Sequence, residues 1–182
     1  MSIAAVAPEL TAGTWNIDPA HSEITFVIRH LMTKVRGTFT EFTGSVQIAE
    51  ELGESTATAE IKMASLDTRN AERDAHVRTA DVLDVEKYPT MTFNTKGVRA
   101  EGGEYYLDGE LTIKDVTRPL SLRVEFNGVG EDPWGGTRAG FSAEATINRK
   151  DWGIEFNIPL KGEKALLSDK VDLQLEVQAV RA

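Results

Sequence analysis

Apolar and polar side chains alternate, one by one, along much of this chain. The alternation is clearest near the C-terminal end, where the apolar residues Val171, Leu173, Leu175 and Val177 are separated by polar ones. Because successive side chains of a β-strand point to opposite faces, such a run predicts a strand with one buried face and one exposed face. Half-buried strands of this kind favour an antiparallel sheet over a parallel α/β core.

The same alternation recurs elsewhere in the chain, and turn-forming residues separate the runs. Further runs are found at residues 24–30, 57–63, 105–113, 120–126 and 141–147. Between them, segments such as Asn127-Gly128 and Asp132–Gly136 carry residues that suit tight reversals. The spacing predicts about eight strands joined mostly by short hairpins, which is typical of an all-β, antiparallel up-and-down barrel.

The chain is 182 residues long and shows neither an internal repeat nor a shift in composition. We therefore expect one barrel domain over residues 1–182, with residues 1–12 as a flexible N-terminal tail. One segment departs from the alternation, because it has good helix formers and no Gly or Pro. It predicts a short helix around residues 68–79, with Asp67 or Thr68 as its N-cap.

A second irregular segment, Asn157–Ser168, is long for a hairpin loop. It contains four apolar residues that need an apolar partner, namely Ile158, Leu160, Leu166 and Leu167. We expect this segment to cover a mouth of the barrel or to contact a neighbouring subunit.

Charge and cysteine content argue against several classes of function. The formal net charge is −9, which makes binding to nucleic acid or to an anionic membrane surface unfavourable. Cysteine is absent, so disulfides, thiolate nucleophiles and thiolate metal ligands are excluded. Neither a signal-peptide pattern nor a membrane-length apolar run is visible. We expect a cytoplasmic protein without stable membrane insertion, or a periplasmic or exported one if the sequence is a processed form.

The interior of a barrel of about eight strands is either filled by side chains or just wide enough for one small ligand. Several expected inward positions carry small residues, among them Gly37, Gly44, Gly109, Ala143 and Ala145. These can leave room for an elongated apolar tunnel, or they can merely allow strand curvature around a solid core. The alternation by itself leaves both interpretations open.

The chain offers few residues for catalysis. Of its three histidines, His21 and His30 lie too far apart along one strand to share a metal ion. His76 is expected in a salt-bridged patch on the helix surface, the alternative being a head-group or proton-transfer site. His30 has an inward register, where it can either bind a ligand head group or close the barrel end. Sequence signatures of hydrolases, nucleotide-binding loops and zinc proteases are absent.

Three function hypotheses follow from these residues. The first is a protein that binds an apolar ligand in the barrel, for which each buried methylene would contribute about 0.8 kcal/mol without any polar recognition motif. The second is a barrel enzyme acting on a lipid or quinone head group. The third is a solid-core interaction module that uses the Asn157–Ser168 segment.

Ordered motifs over nearly the whole chain resemble the YceI-like family. They are found in Trp15–His30, Val35–Gly44, Ser65–Thr68, Arg73–Val77, Tyr88–Phe93, Leu107–Pro119, Ile147–Ile154 and Ser168–Val171. Any one of these motifs is weak, but their number and order make the resemblance specific. Lys114-Asp115 departs from the pattern, because the family often has a small residue or glycine after a histidine in this hairpin. We expect this change to alter a turn and not the pocket.

The resemblance implies a lipocalin-like barrel whose tunnel binds a polyisoprenoid, an isoprenoid quinone or another long amphiphilic lipid for storage or transport. It also implies a homodimer that is not an enzyme and that uses neither a metal nor a cofactor other than the bound lipid. Many members are exported, which the absence of a signal peptide does not match. We expect the ligand to be lined by Phe26, Ile28, His30, Phe39, Phe42, Met63, Met91, Phe93, Leu111, Phe141, Ala143, Ala145 and Trp152.

Overall fold

The structure is a computed structural model that describes all residues 1–182. It contains eleven β-strands, two short α-helices and four short 3-10 helices. The strands are β1 (Gly13–Ile17), β2 (Glu23–His30), β3 (Thr33–Phe39), β4 (Phe42–Ile48), β5 (Thr56–Lys62), β6 (Leu66–Asp67), β7 (Thr90–Glu101), β8 (Glu104–Ile113), β9 (Val116–Glu131), β10 (Thr137–Asn148) and β11 (Leu167–Arg181). The α-helices are α1 (Ile3–Val6) and α2 (Ala71–Val77), and the 3-10 helices are Pro19–His21, Leu52–Glu54, Met63–Ser65 and Arg149–Trp152.

Eight of the strands close into an antiparallel barrel, which confirms the predicted fold class. Their order around the barrel is β1-β4-β5-β7-β8-β9-β10-β11, and β1 closes the ring because it pairs with both β4 and β11. Closure leaves no free sheet edge at this seam, so the backbone groups of β1 are paired on both sides.

The remaining strands extend the wall at one end. The long strand β11 pairs with β1 at Ala179–Arg181 and with β2 over Leu167–Glu176. The hairpin of β2 and β3 therefore continues the sheet from β11, and the two-residue strand β6 pairs with the end of β3. Strand β11 thus pairs with both β1 and β2 along the same edge. The alternation of side chains could not reveal this, because it does not say which strands are neighbours.

Buried apolar residues form two clusters. The smaller one, called the α1 end, consists of Ile3, Ala7, Leu10, Trp15, Ile48, Ala139 and Ala179. The larger one, called the α2 end, consists of Phe39, Phe42, Ile61, Met63, Leu66, Leu83, Phe93, Leu111, Ile113, Leu120, Leu122, Ile147, Trp152 and Val171. Each end of the barrel is therefore closed by packed side chains.

Residues 1–12, which we expected to form a flexible tail, instead close the α1 end. Ile3 and Leu10 are buried against Trp15, whose indole N–H donates to the carbonyl of Thr11 at 3.0 Å. The backbone N–H of Ile3 donates to Glu50, and that of Leu52 donates to Met1. Burying these apolar side chains stabilises an ordered segment that its sequence, read locally, did not predict.

The helix α2 lies within the predicted range but has a different N-cap. The side chain of Asn70 accepts a hydrogen bond from the Arg73 N–H, so Asn70 is the cap rather than Asp67 or Thr68. Thr68 is buried, and its N–H donates to the Asp74 carboxylate. Neither helix is long and apolar enough to cross a membrane.

The Asn157–Ser168 segment is a small hairpin that leads into β11. Pro159 and Ala165 form an isolated bridge, and the N–H of Leu166 donates to the carbonyl of Ile158 at 2.9 Å. Leu166 and Leu167 are half-buried, whereas Ile158 and Leu160 are exposed. The segment therefore buries only part of its apolar surface within the chain.

Candidate functional site

The inward face of the barrel is packed less tightly in its middle than at its ends. Along β11, Val171 and Ala179 are buried, whereas Leu173, Leu175 and Val177 between them keep part of their surface accessible. Since these five side chains share one face of the strand, the difference reflects position along the barrel and not direction. The middle of the inward face therefore keeps accessible apolar surface between the two closed ends.

The neighbouring strand β10 repeats this pattern. Ala139 and Ile147 are buried at its two ends, and the inward residues Phe141, Ala143 and Ala145 are partly accessible. The register pairs Phe141 with Val177, Ala143 with Leu175 and Ala145 with Leu173. The partly accessible residues of the two strands thus lie side by side and form one continuous apolar surface.

The glycines that we expected to make room for a ligand have other roles. A Cβ atom at Gly37 would lie 2.2 Å from Cζ of Phe26, so this glycine makes room for an aromatic ring of the protein itself. A Cβ atom at Gly44 would lie 2.5 Å from the carbonyl oxygen of Thr58, and one at Gly109 equally close to that of Asn94. Among the expected small residues, the alanines Ala57, Ala59, Ala143 and Ala145 are partly accessible.

The thirteen expected lining residues divide into three groups. Six are fully packed in the α2 end and form its core: Phe39, Phe42, Met63, Phe93, Leu111 and Trp152. Six are partly buried and are the ones that an internal ligand could contact: Phe26, Ile28, Met91, Phe141, Ala143 and Ala145. His30 belongs to neither apolar cluster and ends β2, where it pairs in register with Thr33.

Several inward residues that we did not include among the lining residues have the same partial accessibility. They are Ile24, Leu107, Val124, Leu173 and Leu175, all of which pack against the α2 end. Their strands were predicted from the alternation. That signal gives the face of each residue but not its height along the barrel, so it could not separate the middle from the ends.

The 3-10 helix Arg149–Trp152 forms part of the α2 end. Asn148 caps it through the N–H of Lys150, and Gly153 ends it in the left-handed conformation, with φ of 74°. The indole N–H of Trp152 donates to the carbonyl of Leu111 at 2.9 Å. This contact ties the 3-10 helix to β8, so the tryptophan acts as a structural closure of the barrel.

The buried Arg149 side chain holds the adjoining segments together. Its Nε donates to the carbonyl of Ser168 and its Nη1 to that of Ile154, at 2.9 and 2.7 Å. Burial lowers the pKa of this guanidinium, and the charge of Asp169 acts in the opposite direction. These bonds join the end of β10 to the start of β11.

The wall of the barrel parts between β9 and β10. The two strands pair from Glu131 and Thr137 down to Arg123 and Glu144, and no pairing continues beyond that point. Over Val116–Leu122 the strand β9 pairs only with β8, and over Ala145–Asn148 the strand β10 pairs only with β11. We call this opening the lateral gap.

Side chains bound the lateral gap above and below. Arg123 forms an ion pair with Glu144 at the last paired position, and Nε of Arg118 donates to the carbonyl of Asp151 at the other end. Pro119 lies opposite Glu110 in the part of β9 that pairs only with β8, and as a proline it has no N–H to donate. It removes one possible donor within the gap, four residues away from the last β9–β10 pair at Arg123.

Two cavities, of about 280 and 410 Å³, open at the lateral gap. Both are bordered by Ser121 on β9 and by Ala145 and Thr146 on β10. The first also reaches the inward residues Leu120 and Ile147 together with Trp152, and the second reaches the inward residue Leu173. Of these inward residues, Ala145 and Leu173 are partly accessible, whereas Leu120, Ile147 and Trp152 are buried.

The histidines lie away from this opening. Nε2 of His76 lies 3.2 Å from the Asp81 carboxylate, and its ring packs edge-on against Phe156. His76 is therefore a surface residue, as expected, although its partner is Asp81 and not a neighbour on the helix. His21 pairs with Asp18. The structure contains no group of three or more His, Asp or Glu side chains that could hold a metal ion.

The unusual Lys114-Asp115 turn helps to close the α2 end. Both residues have positive φ, of 53° and 60°, in the two-residue loop between β8 and β9. The Lys114 ammonium donates to the carbonyls of Val82 and Gly153, at 3.0 and 3.3 Å. The departure from the family pattern thus tethers two segments over the barrel end.

Comparison with known proteins agrees with this architecture. A family model described as the YceI-like domain matches residues 15–179. The chain is 39% identical over 179 residues to a UPF0312 protein of Photorhabdus laumondii, covering 96% of this chain and 90% of that protein. It is 38% identical to Protein YceI of Escherichia coli O157:H7, covering 96% and 91%.

Solved structures show the same fold. A Campylobacter jejuni YceI protein superposes with a TM-score of 0.71 at 29% identity, covering 85% of this chain and 90% of that one. A polyisoprenoid binding domain from Saccharophagus degradans superposes with a TM-score of 0.70 at 14% identity, covering 94% and 100%. At that identity the second likeness concerns the fold alone.

Proposed function

The chain belongs to the YceI-like family, and from that premise we propose that its barrel binds a long apolar or amphiphilic lipid of the polyisoprenoid type. The observation that carries the proposal is the partly accessible apolar surface between the two closed ends, formed by the inward residues of β10 and β11. The family, and a neighbour described as a polyisoprenoid binding domain, support this class of ligand.

The chemistry of this surface suits a hydrocarbon chain. The partly accessible inward residues around it are apolar, and each methylene that leaves water there contributes about 0.8 kcal/mol. A ligand of several isoprene units therefore gains enough from burial alone to bind tightly. We propose storage or transport as the role, because the apolar lining supplies affinity and no reacting group.

We further propose that the ligand exchanges through the lateral gap. Both ends of the barrel are closed by packed side chains, whereas the gap borders the partly accessible inward residues Ala145 and Leu173. Widening it breaks no β9–β10 backbone hydrogen bond, because that ladder has already ended at Arg123 and Glu144. Opening an end would instead expose buried apolar surface.

Two experiments test the proposal: identification of the bound ligand, and a variant in which a large side chain fills the interior. Mass spectrometry of an organic extract of the purified protein should find an isoprenoid lipid, and delipidated protein should take up a radiolabelled polyprenol. Replacing Ala143 by Trp fills the interior surface, and we expect uptake to fall about tenfold or more. Ser142→Trp is the matched control, because Ser142 is the adjacent residue on the outward face of β10.

Thermal melts establish that each variant is folded, and Ala143→Leu is the milder substitute if the Trp variant does not fold. Clean extracts combined with no uptake of polyprenol by the delipidated protein would reject the proposal. Equal uptake by the Ala143→Trp and Ser142→Trp variants would place the ligand elsewhere.

A further inference from the structure

The hairpin loop between β2 and β3 exposes two large apolar residues. His30 and Thr33 are register partners, so Leu31 and Met32 form a two-residue loop. Met32 is 93% exposed and Leu31 is 43% exposed. Leu31 has φ of 54°, in the left-handed region where a bulky side chain is unfavourable. Loops of this length favour Asn-Gly or similar pairs, so local stability does not account for Leu-Met here.

A second loop presents apolar residues on the same side. In the Asn157–Ser168 hairpin, Ile158 is 47% exposed and Leu160 is 36% exposed. Backbone bonds join the two loops, because the N–H of Leu31 donates to Leu166 and that of Leu166 donates to Ile158, both at 2.9 Å. We call Leu31, Met32, Ile158 and Leu160 the apolar tips.

Basic residues flank the apolar tips in the sequence. Within residues 29–34 and 158–166 the chain carries four basic side chains and one acidic one: Arg29, Lys34, Lys161 and Lys164 against Glu163. The guanidinium of Arg29 is held at the loop, because Nη1 donates to the carbonyl of Leu31 at 2.6 Å. Nearby, the carboxylate of Asp169 is paired with Lys150. The charge here is thus opposite in sign to the net charge of −9.

We propose that the apolar tips dock on the surface of an anionic lipid bilayer. Apolar side chains that project from two loops can enter the headgroup region, and a basic rim is attracted to anionic lipids. An anionic bilayer would repel the rest of this acidic chain. Because the attraction is confined to the apolar tips, it also sets the orientation of the protein on the bilayer. A stable contact with a second copy of the chain buries about 800 Å² of surface on each partner. The four side chains of the apolar tips supply less than that area.

This docking goes beyond the proposed function but fits with it, because a protein that carries a lipid must meet a membrane. It requires no change in the barrel and no spanning segment. Binding to vesicles and loading of polyprenol are separate measurements, so either can fail without the other.

The experiment replaces both apolar residues of the loop by polar ones. In Leu31→Asn with Met32→Ser, the left-handed position 31 gains a residue that tolerates positive φ, so we expect a melting temperature close to that of the unchanged chain. Sedimentation with vesicles of phosphatidylglycerol and phosphatidylcholine should show about tenfold weaker binding for the variant. Binding of the unchanged chain should also fall with added salt and on pure phosphatidylcholine vesicles.

Trp134→Ser is the matched control. Trp134 is 76% exposed in the loop between β9 and β10, at the α1 end, so its loss should leave vesicle binding unchanged. Equal vesicle binding by the unchanged chain and the double variant would overturn the proposal. So would a change from dimer to monomer in the double variant without any change in vesicle binding, which would assign the tips to a contact between copies. Should the double variant fail to fold, Met32→Ser tests the same point without altering residue 31.

Discussion

The ring of Phe26 occupies the space above Gly37, on the neighbouring strand, where any added Cβ atom would lie 2.2 Å from the ring. The two residues are register partners on β2 and β3, so glycine and aromatic ring form one packed unit. We expect Gly37→Ala to destabilise the protein by about 1–3 kcal/mol, because the ring must leave its position. Urea unfolding measures this change.

Two further variants check that explanation. Gly130→Ala on β9 places a Cβ atom with no neighbour within 4 Å, so its stability should be nearly unchanged. Combining Gly37→Ala with Phe26→Leu should cost less than the sum of the two single changes, because the smaller side chain relieves the clash. Additive costs would show that the ring is not the obstacle.

A cross-link over the lateral gap should slow ligand exchange. The chain has no native cysteine, so Ser121→Cys with Thr146→Cys can be joined selectively by a cleavable bifunctional thiol reagent. These residues border both cavities on opposite sides of the gap. We expect slower uptake of polyprenol after cross-linking and recovery after cleavage. The measurement is the rate of uptake by delipidated protein.

The matched control is a cross-link where the wall is continuous. Ser142→Cys with Glu176→Cys joins register partners on β10 and β11 that border neither cavity, so it leaves the gap untouched. Uptake should then proceed at the rate of the unmodified protein. If both cross-linked proteins take up polyprenol equally fast, the ligand passes through a barrel end instead.

Loss of the Trp152 hydrogen bond should weaken the α2 end. In Trp152→Phe the carbonyl of Leu111, which lies within the sheet, loses the indole N–H, and the loss of one hydrogen bond costs about 0.5–1.5 kcal/mol. Urea unfolding should show this loss. Trp134→Phe changes an exposed tryptophan in the same way and should have little effect. An equal loss in both variants would contradict the structural role of the indole bond.

The ion pairs of Asp18 with Arg138 and His21 predict a specific pH dependence of stability. Hydrogen bonds from Arg138 and His21 lower the pKa of Asp18 from 3.8 to about 2. A carboxylate whose pKa is depressed in the folded state stabilises the fold above its unfolded value, near pH 3.8. That contribution is lost as the pH falls through about 2.

Asp18→Asn removes this titration while Arg138 keeps its second partner, Asp132, at 2.8 Å. We expect the unchanged chain to have the higher unfolding free energy above about pH 4. The difference between the unchanged chain and the variant should then shrink between about pH 4 and pH 2. Urea unfolding over a pH series measures the difference, and a difference that does not vary with pH would exclude the depressed pKa of Asp18 as its cause.

The alternation of side chains predicted the strands and their inward faces correctly for particular runs. Val171, Leu173, Leu175 and Val177 share the inward face, as do Ala143 and Ala145 on the paired strand. These predictions succeeded because the direction of a side chain in a strand depends only on its own position in the sequence. The predicted N-cap of α2 was wrong, because the Thr68 hydroxyl and N–H bond the buried Asp74 carboxylate instead of capping the helix.

The sequence by itself therefore determined the class of fold, the number of barrel strands and, through its ordered motifs, the family. Only the tertiary structure decided which inward residues are buried and which are accessible, because height along a barrel depends on the stagger between strands. The same holds for the closure by residues 1–12 and for the lateral gap. Both depend on pairing between segments far apart in the chain, which no local pattern of residues encodes.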